Sequence, residues 1–454
     1  MKLAEDFPSR PGYGTKGTKV ELSANYIELL PPSDLVLYRY DIHINPAAAG
    51  KKHFRIVQLL LQSPELAAHQ GEIATDFRST LFSKTRFHRD ENLIEVRYRL
   101  EGEDEPSARA TTYNVHVLYT KTLVMDELIN YLNSTNLGHS LRDKQELTQA
   151  LNIFLNHYAR SAKNIVTVGS TKSFSLSSNT AKRDIGSDLD VIRGFFSSVR
   201  TATCRILINI NVSHGAFYHA GPLPALMNNY GVQSTPMLEK FLKFVRVQTT
   251  HLPEKRNKAN KVIPCVKIIF GLARKDDGHG MAHPPRVKRH GAGAEEVEFW
   301  LDGEASSVIP KVATKGGAKG RGKRKDKTQP QSSAASRRYI SVFDFFEEVF
   351  CLSYLSFDIA DCDAAYGRVL QYPHLLLLNC GNRSNPMYLP AEVCTVSQGQ
   401  PSKAKLNSSQ AQQMIRHAVR KPWEIAAAIV EEGTGIIGLD ENTNVLLVRV
   451  CSYF

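Results

Sequence analysis

Asn385-Pro386-Met387-Tyr388-Leu389-Pro390-Ala391-Glu392-Val393-Cys394, followed by Gly399-Gln400-Pro401, is the stretch on which the reading of this chain turns. Asn385-Pro386 marks a turn, and the residues after it alternate. Met387, Leu389, Ala391 and Val393 fall on one side, with Tyr388, Glu392 and Cys394 near the other. On pattern alone this is an edge strand leaving a Pro-bounded turn. Nothing in the pattern names a ligand.

Upstream, the segment from Met237 opens with Leu238-Glu239-Lys240-Phe241-Leu242-Lys243 and continues into a strand pattern over Phe244 to Thr250. A basic loop follows (Pro253 to Lys258), then a strand from Val262 to Leu272, a Gly-, His- and Pro-rich loop over 276–293, and a short strand ending in Phe299-Trp300. An aromatic-rich helix is predicted from Ser341 to Phe350. Short strands with a small helix over one end describe an OB-like β-barrel.

Farther upstream, Lys19 to Leu30 and Leu35 to Asn45 read as strands separated by Leu30-Pro31-Pro32-Ser33. The second alternates Leu35, Leu37, Arg39, Asp41 and His43 against Val36, Tyr38, Tyr40, Ile42 and Ile44, a half-buried antiparallel strand with a solvated His43. Helical spacing over Phe54 to Leu66 and alternation over Asn92 to Leu100 and Tyr113 to Tyr119 complete an open sheet. The helix-period run Lys144 to Tyr158 is expected to pack back on it. A helix over Leu189 to Arg200 then feeds a strand in which Ile206, Ile208, Ile210 and Val212 share a face. Beyond the opening stretch, Ser408 is read as the N-cap of a helix to Arg420 with Met414, Ile415 and Ala418 on one face, and Pro422 opens another.

The chain has 454 residues, room for several domains, and a formal charge of +12. The 28 residues from Lys311 to Arg338 supply +9 of this, leaving about +3 for the rest, so the basic balance reports one tract. That tract, rich in Gly, Lys, Ser and Gln without apolar periodicity, is expected to be disordered. Seven scattered cysteines without a C-x-x-C pair argue for a reducing compartment and against a disulfide framework or zinc site. No signal peptide or spanning segment is evident, which predicts a soluble intracellular protein.

Together, the closing stretch resembles the signature that ends the PAZ domain of Argonaute proteins. Arg10-Pro11-Gly12-Tyr13-Gly14 with Ala24-Asn25-Tyr26 is similar to the start of the Argonaute N domain. Gly194 to Arg200, Leu207 to Ser213 and Ala216-Phe217-Tyr218 resemble the first linker, which Dicer enzymes, also carriers of PAZ, do not share. The resemblance, eukaryotic and fungal-like, covers roughly residues 10–440. It implies an α+β multidomain chain: a mixed-sheet N domain (1–135), a helix-strand first linker (136–236), an OB-like β-barrel PAZ domain with a small αβ appendage (237–400), and the start of a second linker (401–454). Within PAZ lie the basic tract 311–338 and an anomalous insert, 349–364.

A pocket for the end of a single strand needs aromatic faces for bases and cationic, imidazole or hydroxyl groups for phosphates. Carried over from the family, Thr250-His251 makes His251 a phosphate donor, Phe299 the hairpin aromatic against the terminal sugar, and Tyr388 and Leu389 the pocket wall, with Glu392 and Val393 in the sheet. Val342 and Phe346 match in the helix. Phe345 stands where many members carry a phosphate-binding Tyr, and lacks that hydroxyl. Tyr366 is the second phosphate-binding Tyr, but it falls 20 residues past Phe346, where the family pattern is much shorter. The extra residues read as a tolerated loop, a lid or a gene-model artefact such as a retained intron, the last being favoured.

No catalytic constellation, metal site or cofactor motif is expected. Asp188 and Asp190 read as helix N-terminal charge, and Asp358, Asp361 and Asp363 as solvated loop in the insert. The resemblance therefore implies a non-catalytic RNA-binding chain of the small-RNA silencing pathway, lacking MID and PIWI domains. It would hold the 3′ end of a single-stranded guide RNA, with other silencing proteins as partners and no membrane. Cytoplasmic residence is expected, with the nucleus open. The alternatives are part of a slicing endoribonuclease, or a protein-interaction scaffold that has lost RNA binding.

Overall fold

A computed structural model describes residues 18, 20, 24–134, 142–177, 182–231, 234–252, 254–301, 338–347, 370–439 and 444–453. After β1 (Tyr26–Leu30), Pro31-Pro32 breaks the chain and β2 (Val36–Asn45) begins a second sheet. The register of β2 shifts between Arg39 and Tyr40. The extra residue, Thr120, lies on the partner strand, because Arg39 pairs with Lys121 and Tyr40 with Tyr119, so the alternation of β2 itself is unbroken. Leu37 and Tyr40 lie on opposite faces as expected, and both are fully buried because each face meets its own core, while His43 stays exposed as predicted.

The helix α1 (Gly50–Leu61) buries Ile56, Val57, Leu59 and Leu60, and α2 (Pro64–Ala67) follows. The sheet is completed by β3 (Ile73–Thr75), β4 (Thr80–Ser83), β5 (Glu91–Arg97) and β6 (Thr112–Val124), in the order β3-β4-β2-β6-β5. Every pairing in it is antiparallel, not mixed as expected. After α3 (Met125–Asn133), α4 (Lys144–Ser161) bridges two sheets instead of lying only on the first. On one side His157 Nδ1 accepts the Thr75 N–H at 3.1 Å. On the other, Asn152 Oδ1 accepts the Val199 N–H at 2.8 Å and Asn156 Oδ1 the Ser197 hydroxyl at 3.1 Å.

That second sheet holds β7 (Ile165–Val168), β8 (Lys172–Ser175), β9 (Lys182–Asp184), β10 (Leu189–Ala202) and β11 (Arg205–Tyr218), with β1 on the far edge of β11. The predicted helix over 189–200 is thus a strand, paired with β11 from Leu189↔Tyr218 to Ala202↔Arg205. Its β-branched and aromatic residues, Val191, Ile192, Phe195, Phe196 and Val199, suit a pleated surface. Both of its faces are covered, which erases the two-residue period that marks a half-exposed strand.

Residues 221–401 form a third body: β12 (Gly221–Pro222), α5 (Leu223–Tyr230), α6 (Thr235–Leu242), β13 (Arg246–Thr249), β14 (Lys255–Arg256), β15 (Val262–Ile263), β16 (Val266–Ile268), β17 (Gly271–Leu272), β18 (Arg286–Val287), β19 (Val297–Leu301), β20 (Arg338–Ser341), a helical turn at 342–347, β21 (Leu378–Asn379), β22 (Tyr388–Leu389) and β23 (Cys394–Val396). The expected strand 262–272 is three short pieces. The first two are parted at Pro264, which lacks the N–H a ladder needs. Pairing runs β12-β23-β13-β16, β14-β15, β17-β21-β22 and β18-β19-β20. None of these sheets closes on itself, so the short strands predicted as a barrel wrap one core as separate small sheets. Leu238, Phe241, Val247, Ile269, Leu377 and Val396 lie in that core. The sheet β18-β19-β20 with its helical turn is the small αβ appendage.

Of the tract 311–338, only Arg338 is described, and the insert 349–364 and Tyr366 lie outside the described residues. At the end, α7 (Ser408–Ala418) is capped by Asn407, not Ser408. Asn407 Oδ1 accepts the Gln410 N–H at 2.8 Å and Gln410 Oε1 accepts the Asn407 N–H at 3.0 Å, a capping box spelled N-S-S-Q. Met414 packs on the core, but Ile415 is 61% exposed, so the expected shared face is split. The helix α8 (Pro422–Ala428) starts at Pro422 as predicted.

Candidate nucleic-acid interface

The opening stretch is two strands and a turn, not one edge strand. Pro390 ends β22, Ala391–Val393 make a 3-10 turn, and β23 begins at Cys394. Glu392 and Val393 are therefore in the turn, outside the sheet. Leu389, Ala391 and Val393 are buried, as their alternation predicts, but Met387 of the same run is exposed, and Cys394 is buried because β23 is an inner strand beside β13. Each polar residue of the stretch has a task. The Glu392 carboxylate accepts the N–H groups of Gln371 and Tyr372 at 2.8 and 3.3 Å. Gln400 accepts the Arg246 N–H at 2.6 Å and donates to the Arg246 carbonyl at 2.7 Å, extending the ladder of β13 with a side chain.

At the other end of β13, Thr250 is tied to Val393 O through its N–H (3.0 Å) and its hydroxyl (3.3 Å). This places His251 next to the 342–347 turn, its ring 5.5 Å from that of Phe346. Phe346 meets Phe345 at 6.2 Å, and Phe345 meets Phe299 edge-on at 5.2 Å. Three of the predicted site residues, His251, Phe345 and Phe299, thus lie on one continuous aromatic line from β13 to the appendage. Phe346, read from sequence only as a pattern match, links them. His251 Nδ1 is shielded from solvent and has no hydrogen-bond partner among the described residues. Burial, and then the charge of Lys267, lowers the proton affinity of this imidazole.

Tyr388 and Leu389 belong to the same hydrophobic core, yet their polar contacts run elsewhere. The Tyr388 hydroxyl donates to Asp277 Oδ2 at 3.0 Å, and Asp277 also accepts from Asn379 Nδ2 at 3.3 Å and the Arg274 N–H at 3.0 Å. Burial, then the negative Asp277, pushes the Tyr388 pKa up, so the phenol stays a neutral donor. It holds the wall in place.

Lys267 was missed by sequence reasoning. It is the single cation in the run Val262 to Leu272, and a lone charge inside an apolar strand pattern is the signal that marks it. Nearby, burial pushes the Cys380 thiol up to about 12, so it is a neutral, unreactive group.

Asp184, Asp190 and His219 form a second polar cluster, with ligand-type atoms within 4.8 Å of one another. Asp190 Oδ2 lies 2.7 Å from Lys182 Nζ and its Oδ1 2.7 Å from His219 Nε2, so a lysine ammonium already balances its charge. Asp188 and Asp190 were expected on a helix turn. They sit instead at the entry of β10, where Asp188 accepts from Asn229 Nδ2 at 2.9 Å.

Three family models match the chain: the N-terminal domain of argonaute over residues 18–155, the Argonaute linker 1 domain over 169–219, and the PAZ domain over 363–415. Among curated relatives, Protein argonaute 1D of Oryza sativa subsp. japonica is 24% identical over 436 residues, covering 94% of this chain and 34% of that protein. Protein argonaute 5 of Arabidopsis thaliana is 23% identical over 424 residues, covering 92% and 35%. The chain spans about a third of the length of these relatives. In fold it is similar to the Argonaute of Kluyveromyces polysporus, solved with a guide RNA, at a TM-score of 0.54 and 14% identity over 96% of this chain and 45% of that one. In its N domain, first linker and PAZ domain, this chain belongs to the Argonaute family.

Proposed function

We propose that the chain binds the 3′ end of a single-stranded guide RNA in small-RNA silencing, and that this part of the protein positions RNA without cutting it. One observation carries the reading: the aromatic line Phe299, Phe345, Phe346 ends at a half-buried imidazole whose Nδ1 is shielded from solvent and has no partner among the described residues. Aromatic faces stack bases whatever their sequence, and a polar atom left unsatisfied in an apolar setting is costly unless a ligand completes it. In this reading His251 meets a terminal phosphate, Phe299 and Phe345 pack on the terminal nucleoside, Tyr388 and Leu389 back the wall, and Tyr366 supplies a hydroxyl to the phosphate. The domain limits 1–135, 136–236, 237–400 and 401–454, partnership with other silencing proteins, and cytoplasmic residence belong to the same proposal.

The test is equilibrium binding of a short labelled single-stranded RNA with a free 3′ end, against the same RNA carrying a bulky 3′ block. The free end should bind more tightly, with affinity falling as salt rises. Equal affinities would remove the end pocket and favour the scaffold alternative.

A further inference from the structure

The appendage sheet β18-β19-β20 has two faces of different chemistry. Alternation turns Val297 and Phe299 toward the core, and it turns Trp300 and Tyr339, directly opposite each other in the ladder, to the back of the sheet. His283 lies nearly parallel over Trp300, with ring centroids 4.1 Å apart at 17°. The Arg286 guanidinium sits 3.8 Å from the centre of the Tyr339 ring. The Tyr339 hydroxyl donates to the Pro284 carbonyl at 3.1 Å, which fixes the loop that carries His283. Trp300 and Tyr339 meet edge-on at 5.2 Å, so the two stacks adjoin. Their outer layers, an imidazole and a guanidinium, are both exposed.

A planar cationic group resting on an aromatic ring is a surface on which a nucleobase stacks as the next layer, while its phosphate meets the same charge. The sign of the partner's charge follows from connectivity. The stretch 311–338, which supplies +9 of the chain's +12, lies in the connection between β19 and β20 and ends on the first residue of β20. Glu298, 3.5 Å from Arg286, is an exposed partner that water and salt screen. We propose that this back face is a second RNA-contact surface, which stacks bases from the interior of a single strand and needs no 3′ end. A polyanion without bases would answer the charge and leave the stacks unused. Phe299 and Trp300 point to opposite sides of one sheet, so this surface goes beyond the guide-end reading and does not depend on it.

The experiment uses the full chain carrying W423F, a change at an exposed position that leaves Trp300 as the single tryptophan, and a circular single-stranded RNA, which has no 3′ end. Circular RNA should change Trp300 emission, and dextran sulfate, a polyanion without bases, should not. R286A should weaken binding of labelled circular RNA about tenfold and flatten the slope of log affinity against log salt by about 0.7, the value of one phosphate contact on a single strand. W300A should weaken the same RNA by about tenfold with the slope unchanged, as loss of a stacking platform does. Thermal melting curves establish that the variants fold, and R286A, at an exposed position, carries the test if W300A does not. Unchanged emission with circular RNA, the same emission change with dextran sulfate, or undiminished affinity in R286A overturns the proposal. Equal binding of blocked and free 3′ ends would overturn the end pocket alone, and the emission change with circular RNA would still support this surface.

Discussion

The backbone N–H of Lys258 donates to Asp104 Oδ2 at 2.6 Å, tying the loop between β14 and β15 to the acidic loop after β5. Lys258 Nζ reaches Glu105 Oε1 at 2.5 Å, and Asn257 Nδ2 donates to the Gly102 carbonyl at 3.4 Å. The N domain thus holds a basic hairpin of the third body with its own acids. The side-chain pair is exposed and screened by salt, so it orients more than it stabilises. Replacing both acids, D104A with E105A, should raise amide hydrogen exchange over 255–263 and leave the melting temperature nearly unchanged. Unaltered exchange would show that the hairpin is held by its own turn alone.

Much of this architecture was legible in the residues. Period-two runs such as Tyr113 to Tyr119 lie in strands as expected, here within the longer Thr112–Val124. The turn chemistry at Pro31-Pro32 and Pro422 marks element limits correctly. The reading failed at 189–200, where both faces are covered and a buried strand has the same run of apolar residues as a buried helix. At β2 the alternation holds, but the face carrying Leu37 meets a second core, which one strand's own sequence does not announce. For the candidate site, His251, Phe299 and Phe345 were nominated through motif resemblance, and the fold brings them onto one line. Lys267, whose charge bears on His251, was not, because the face it takes is a property of the ladder.

Gly194 shows how tightly that misread strand is packed. A Cβ there would lie 2.4 Å from both Ser173 O and Phe174 Cδ1, and the backbone oxygen cannot swing aside. G194A should therefore part β8 from β10 and destabilise the fold by about 1–3 kcal/mol, the usual cost of overpacking. Chemical denaturation measures this. A neutral result would mean that the two strands separate freely.

His157 links α4 to β3 and should make the fold sensitive to acid. Burial pushes its pKa down to about 4, with the Arg160 charge adding to the effect and the Thr75 carbonyl partly offsetting it. Unfolded, the ring titrates near pH 6.5, so between that pH and 4 the unfolded chain binds the extra proton. Stability from the neutral ring is complete above pH 6.5 and is lost as pH falls toward 4, on the order of 3 kcal/mol in all. H157Q should flatten this part of the stability profile in urea titrations from pH 7 to 4. A profile parallel to wild type would place the acid sensitivity elsewhere.

Phe345 separates stacking from hydrogen bonding in the proposed pocket. Its ring is half-buried, edge-on to Phe299, and closes the aromatic line without offering a donor. F345Y adds one hydroxyl at this position and should tighten binding of a free 3′ end about tenfold, since a hydrogen bond to a charged phosphate contributes about 1.5–3 kcal/mol. F345L keeps an apolar side chain, though a smaller one, but removes the aromatic face, and should weaken binding of the same RNA by about 1–3 kcal/mol, the range of one base-aromatic contact. Binding isotherms of the three proteins at one salt concentration decide between the two contributions. If F345Y gains nothing while F345L loses affinity, the ring meets a base and the phosphate lies beyond its reach. If neither changes binding, Phe345 is a core residue that only joins the appendage to β13.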